Sequence, residues 1–312
     1  MAPIATLTPN PSIDLLFEVE SLVWDDANRV DSPRRRAGGQ GVNVVRAARA
    51  LGGEAVAIVP LGGAAGRELR ELLEGEGTPV RVVPIAGDTR VFCGVRETAT
   101  GRSLLVNPRG PALSAEEGEA LLAETARALD QLQPAWLACC GSVAPGLAPD
   151  LYARAGALAH ARGISFVPDG DGPALRRAAE GGCELLVPNE HEAARLLGHE
   201  RLESAEAPAA AAALRRYAAL TCITLGAAGA VCADQHGTWR ATPPPRPAGS
   251  AVGAGDVFLA AFLLALESGA EPADALRRAV AAGTAVLGSS GSDLVTAEAA
   301  AALEPAVVIT RA

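Results

Sequence analysis

Residues 250–259 read GSAVGAGDVF, a glycine-rich turn that ends on one carboxylate and runs into a nearly uncharged apolar stretch. Gly253 and Gly255 let the backbone approach a ligand closely, and a helix starting near Asp256 presents unbonded amide groups at its amino end. Such an end attracts an anion through aimed donors and the helix dipole, so a phosphoryl group in transfer would be held there beside a carboxylate. The same residues suit a plain helix cap with Asp256 as N-cap, and so short a pattern leaves both readings open. A second glycine loop, AGGQGVNVVRAARALGG (residues 37–53), opens another helix. It lacks both the G-x-G-x-x-G spacing after a clear strand and the Walker lysine, and so makes a poor nucleotide fingerprint. It reads either as a close approach to a hydroxylated ligand, with Asn43 as a polar contact, or as a structural turn. In PNEHE (residues 188–192), Asn189 and Glu192 stand three apart after a strand, where both can face one magnesium ion or its waters. A helix capping box has the same spacing.

These side chains need a frame. Short β-branched or apolar runs alternate with helical patterns: EAVAIVPL then GRELRELLEGEG, WLACCG then PDLYARAGALAHARG, ISFVPD then GPALRRAAEGG, and ELLVPN then EHEAARLLG. That alternation predicts an α/β fold, three layers with a mainly parallel central sheet, and places the functional loops beyond the carboxyl ends of its strands. Residues 15–37 and 88–107 break the rhythm, reading as strand and hairpin without a helix between, so they are expected to form a small β-sheet lid on a single domain spanning 1–312. LESAEAPAAAAALRRYAAL is read as a surface helix and PPPRP (residues 243–247) as a stiff connector.

Composition narrows the classes. A formal charge of −9, from 27 cationic and 36 acidic side chains, argues against a nucleic-acid surface, and every cation is Arg because the chain has no Lys. Six cysteines without C-x-x-C spacing lie mostly in apolar stretches and read as buried thiols. Four scattered histidines lack metal-ligand spacing. The amino terminus shows no basic-then-apolar signal, and the longest uncharged stretch, residues 131–149, is broken by Pro134, Gly141, Pro145 and Gly146. The expectation is a cytoplasmic protein with no membrane or nucleic-acid partner.

The order TLTPNPSID, AGGQGVNVVRAARALGG, GSVAPGL, PDGDGPAL, VPNEHE, TLGAAGA and SAVGAGDVF resembles the ribokinase-like (PfkB) carbohydrate kinases, over about residues 5–292. Within them it is most similar to the phosphosugar branch of minor 6-phosphofructokinases, 1-phosphofructokinases and tagatose-6-phosphate kinases. The resemblance implies ATP- and Mg-dependent phosphoryl transfer to a hydroxyl of fructose 6-phosphate, fructose 1-phosphate or tagatose 6-phosphate. On that basis Asp256 matches the general base, and Gly253, Ala254 and Gly255 match the anion hole. Asp14, Gly39 and Asn43 match positions that hold sugar hydroxyls, Arg29 and Arg90 match phosphate-binding arginines, and Ser142 adds a hydroxyl. Asn189 and Glu192 match the magnesium and phosphate motif; Thr224, Gly226 and Gly229 match the loop under the nucleotide, with Ala282 and Gly283 near the adenine. The lid matches a β-clasp that closes over the sugar and often dimerises, which implies a homodimer.

The chain departs from these relatives at three cationic positions, carrying Ala27, Gln40 and Val187 where lysines are usual, and Arg34, Arg35, Arg36 and Arg109 are possible replacements. Two alternatives stay open: a kinase of the same fold for an unphosphorylated sugar or nucleoside, and an inactive regulatory protein that binds a sugar phosphate.

Overall fold

The computed structural model describes residues 2–30, 33–245, 252–286 and 295–312. Five parallel strands, β1 (Ile4–Leu7), β4 (Ala55–Leu61), β5 (Val80–Pro84), β8 (Trp136–Cys140) and β9 (Ser165–Asp169), pair in the order β5-β4-β1-β8-β9. A second ladder follows: β10 (Cys183–Leu186), β11 (Ala218–Thr224), β12 (Ala230–Asp234), β13 (Gly237–Thr242) and β14 (Val308–Arg311). Here β10 and β11 are parallel, whereas β11 to β14 pair antiparallel. β10 lies beside β9, so the two ladders meet edge to edge.

The parallel strands read as continuous apolar runs because both faces are covered, and successive side chains alternate between two cores. In β4, Ala55, Ala57, Val59 and Leu61 enter one core and Val56 and Ile58 the other; in β8, Trp136, Ala138 and Cys140 oppose Leu137 and Cys139 in the same way. The first core is covered by α1 (Gln40–Ala50), α2 (Gly63–Gly75), α8 (Ala254–Glu267), α9 (Pro272–Ala285) and α10 (Ala297–Leu303). The second lies under α3 (Ala115–Leu132), α4 (Leu151–His160), α5 (Gly172–Glu180), α6 (Glu190–Leu197) and α7 (Ala207–Leu214). Helix α8 is apolar on nearly every side because α1 and α9 both pack on it.

Two local expectations need correcting. The helix read into LESAEAPAAAAALRRYAAL stops at Leu214 and Ala218–Leu220 begin β11, since alanine content marks helix tendency but not its end. Within its shorter span α7 is a surface helix, burying the stripe Ala207, Ala210, Ala211 and Leu214 and exposing residues 209, 212 and 213. The other correction concerns the irregular segments, which form a four-stranded sheet ordered β3-β2-β6-β7, with β2 (Ser12–Val19), β3 (Arg34–Gly38), β6 (Arg90–Glu97) and β7 (Ser103–Val106). β2 starts three residues before the expected boundary, and residues 20–30 are turn and irregular backbone rather than strand. The connector reading of PPPRP and the start of GSAVGAGDVF fall partly outside the described residues.

Among the described residues no helix is long and apolar enough to cross a membrane.

Candidate active site

Two helices begin at the same place. Gly39 is the N-cap of α1 and Gly253 that of α8, and both adopt positive φ (114° and 84°), which a residue with a Cβ rarely does. α1 and α8 pack together, so their amino ends, with their unbonded amides, lie together. Across them Asn43, in the first turn of α1, donates from Nδ2 to Asp256 Oδ2 at 2.8 Å.

The helix start corrects the N-cap reading of Asp256: the N-cap is Gly253, and Asp256 stands at the third helical position with its carboxylate on Asn43. Asp256 is only 6% exposed. Burial pushes its carboxyl up to about 7, against the lowering effect of the Asn43 amide, and the nearby Asp14 carboxylate adds to the rise. Among the described residues, a Cβ placed on Gly255 would meet nothing within 4 Å, leaving open space on that side of the residue before Asp256.

Asp14 arrives from the four-stranded sheet. Ser12 Oγ donates to its Oδ1 at 2.7 Å, and burial raises its carboxyl while Arg90, Arg36 and Arg46 pull it down. The Asp14 carboxylate occupies the space that Gly38 leaves: a Cβ there would sit 2.1 Å from Oδ1. In register, Asp14 faces Arg36 across β3, and Ser12 faces Arg90 across β6, which puts Asp14, Arg36 and Arg90 on one face of the sheet. Arg35, on the other face, is held by Glu68 of α2 through Nε (2.5 Å) and Nη2 (2.9 Å).

Arg90 donates to the Asn10 carbonyl from Nε (3.1 Å) and Nη2 (2.8 Å), to the Pro108 carbonyl from Nη1 (3.2 Å), and to Asn107 Oδ1 from Nη1. Asn10 in turn donates from Nδ2 to Ser142 Oγ and to the Arg109 carbonyl, both at 3.0 Å. Arg29 lies exposed in the stretch after β2, with no hydrogen bond or ion pair among the described residues. The structure therefore gathers Asp14, Gly39, Asn43, Gly253, Ala254, Gly255 and Asp256, sets Arg90 and Ser142 around Asn10 at the same end of the sheet, and gives Arg29 no contact with them.

At the carboxyl ends of β10 and β11, Asn189 and Thr224 form a bridge, and Thr224 N donates to the Pro188 carbonyl at 3.1 Å. Asn189 and Glu192 form a full capping box on α6: Asn189 Oδ1 accepts from the amides of His191 and Glu192, and Glu192 Oε2 accepts from the Asn189 amide. Gly226 and Gly229 both have positive φ around a 3-10 turn, and a Cβ on Gly229 would fall 2.0 Å from the Ala241 carbonyl. Gly283 lets α9 pack against the start of α8, since its Cβ would stand 3.2 Å from the Ala254 carbonyl, and Ala282 is buried in the core.

Asp169, at the end of β9, belongs to this end of the sheet although the sequence reading took no residue from PDGDGPAL. Burial raises its carboxyl well above the usual carboxylate range, and Asp256 and Glu192 raise it further. Its position directly after the apolar run ISFVP was the available signal. Burial likewise raises Glu192. Among the described residues no three His, Cys, Asp or Glu side chains converge enough to enclose a metal ion. Glu192 and Asp169, close enough to influence each other's ionisation, nonetheless offer hard oxygen donors. That fits a magnesium ion, which keeps most of its water and takes one or two carboxylates.

The chain matches the family model described as pfkB family carbohydrate kinase over residues 9–299. It is 34% identical over 291 residues to the ATP-dependent 6-phosphofructokinase isozyme 2 of Mycobacterium tuberculosis, covering 93% of this chain and 85% of that protein. It is 31% identical over 312 residues to the 1-phosphofructokinase of Rhodobacter capsulatus, covering 98% and 97%. Phosphofructokinase-2 from Escherichia coli in complex with fructose-6-phosphate superposes with a TM-score of 0.90 at 31% identity, covering 98% of this chain and 99% of that one. The same enzyme in its tetrameric inhibited form also gives 0.90, at 30% identity and the same coverage.

Proposed function

The chain belongs to the pfkB family of carbohydrate kinases, and from that premise we propose that it transfers the γ-phosphoryl group of ATP to a hydroxyl of a ketohexose phosphate. Fructose 6-phosphate is the first choice of acceptor, with fructose 1-phosphate and tagatose 6-phosphate next. The observation that carries this reading is the buried Asp256 carboxylate, poised near neutrality in the first turn of α8 and hydrogen-bonded to Asn43.

In the proposed reaction Asp256 accepts the acceptor hydroxyl's proton as that oxygen bonds to the γ-phosphorus and the bond to the departing ADP oxygen breaks. Amides of Gly253, Ala254 and Gly255 hold the charge on the transferring group. Asp14, Gly39 and Asn43 hold the sugar hydroxyls; Ser142 and the arginines Arg90 and Arg29 serve the existing phosphate. Thr224, Gly226 and Gly229 line the nucleotide, with Ala282 and Gly283 behind it. Glu192 with Asp169, and Asn189 through water, would hold magnesium, which when bound neutralises charge on the triphosphate. The four-stranded sheet acts as a lid over the sugar and joins two copies of the chain. Six free cysteines, five of them buried, suit a reducing cytoplasm, where ATP is supplied.

A free sugar or nucleoside as acceptor is favoured by one feature, the engagement of Arg90 by its own backbone neighbours. ATP consumption measured over a panel of free and phosphorylated ketohexoses decides between them. Turnover restricted to phosphorylated sugars is expected, and turnover restricted to free sugars would sink the assignment.

A further inference from the structure

Most cations near the phosphate end of the site are already engaged, Arg36 on the Arg90 face among them. A guanidinium has five N–H donors, and Arg90 spends four of them on Asn10, Asn107 and Pro108. Arg35 is bound to Glu68 on the far face of its sheet, and positions 27 and 40 carry Ala and Gln.

Arg109 is different in kind, because its backbone is fixed to the site while its head is not engaged. Its carbonyl accepts from Asn10 Nδ2, the same atom that donates to Ser142 Oγ. The residue before it, Pro108, is held by Arg90 Nη1. The residue after it, Gly110, has φ of 89° and packs on Asn10 so closely that a Cβ would lie 2.3 Å from Oδ1. Asn10 itself is only 6% exposed, and its Oδ1 has no hydrogen-bond partner among the described residues. The Arg109 side chain is exposed and makes no hydrogen bond or ion pair among the described residues. A solvated surface arginine needs no such anchoring of its main chain.

We infer that Arg109 is a specificity-determining residue that recognises the phosphate already on the acceptor, with its planar fork taking the phosphate oxygens beside Ser142. This rests on the reading of the protein as a ketohexose-phosphate kinase. A fixed loop base and a long unengaged stem let the charge be delivered without first breaking a native contact, while Arg90 holds that loop and adds its one remaining donor to the phosphate.

The test uses purified full-length wild type, Arg109→Ala and Arg109→Lys, with ATP and whichever of the three sugar phosphates the wild type turns over best. Losing charge-assisted hydrogen bonds to a phosphate raises KM for the sugar phosphate about 10- to 100-fold in Arg109→Ala. Its kcat and its KM for ATP are expected to change little, its unfolding midpoint to stay at the wild-type value, and Arg109→Lys to recover part of the loss. Inorganic phosphate, competing with the sugar phosphate, should lose potency in Arg109→Ala by a comparable factor. A sugar-phosphate KM in Arg109→Ala within about twofold of an active wild type is too small for a lost charge-assisted contact and overturns this inference alone. A wild type that turns over no ketohexose phosphate overturns both this inference and the reading beneath it.

Discussion

At Asp256 burial and one hydrogen bond pull in opposite directions, and their balance has a measurable sign. A base must be ionised to accept a proton, so activity is expected to rise with pH through a limb near 7, the value to which burial lifts this carboxyl. Donation from Asn43 lowers that value, so Asn43→Leu should move the limb to higher pH, which a pH profile of kcat/KM would reveal. Asp256→Asn removes the proposed base and should lower kcat by about 10²- to 10⁴-fold with ligand binding nearly intact. The same substitution bears on stability. Because the folded carboxyl titrates above its ordinary value of 3.8, ionising it destabilises the fold progressively as pH rises from about 4 to about 7. Thermal unfolding of Asp256→Asn should therefore occur above the wild-type midpoint at pH 8, by on the order of a few kcal/mol of stability, with the gap closing near pH 4. In the sequence Asp256 was visible as a carboxylate closing a glycine turn, but cap and base could not be told apart. The N-cap reading falls to a helix that starts at Gly253, and the carboxylate's partner, Asn43, stands 213 residues away, beyond the reach of local pattern.

Elements place these residues by close approach as much as by side-chain choice. Gly38→Ala would drive a methyl group into the Asp14 carboxylate, so KM for the acceptor is expected to rise about tenfold or more while KM for ATP holds. An unchanged acceptor KM would mean that Asp14 does not hold the sugar. The parallel half of the fold was legible because doubly buried strands are unbroken apolar runs followed by amphipathic helices. The antiparallel half was less so. β12 and β13 are short, follow glycine turns and carry mixed side chains, and the alanine-rich segment before β11 gave no mark of where helix yields to strand. Asp169 went unread for a related reason: a lone carboxylate after a strand is common, and only the fold sets it against Asp256 and Glu192.

For the molecule as a whole, the four-stranded sheet and the irregular stretch after β2 carry much of the exposed apolar surface. Trp24 and Leu105 are 73% and 53% exposed, Val23, Leu104 and Val106 are exposed as well, and β7 is an edge strand. Pairing of two such sheets would cover this surface, so light scattering is expected to find a dimer or a higher multiple. Leu105→Arg together with Trp24→Asp should reduce it to single chains; an unaltered mass would place the contact elsewhere. The strand order carries a consequence for how the protein is made. β1 leaves the ribosome before both of its partners, β4 and β8, and the hydrogen bond from Asn43 waits for Asp256. A growing chain can pair the strands around Asn43 before α8 has been synthesised. The Asn43–Asp256 bond then waits for α8, so a chain truncated before α8 would lack the proposed base and is expected to turn over no ATP.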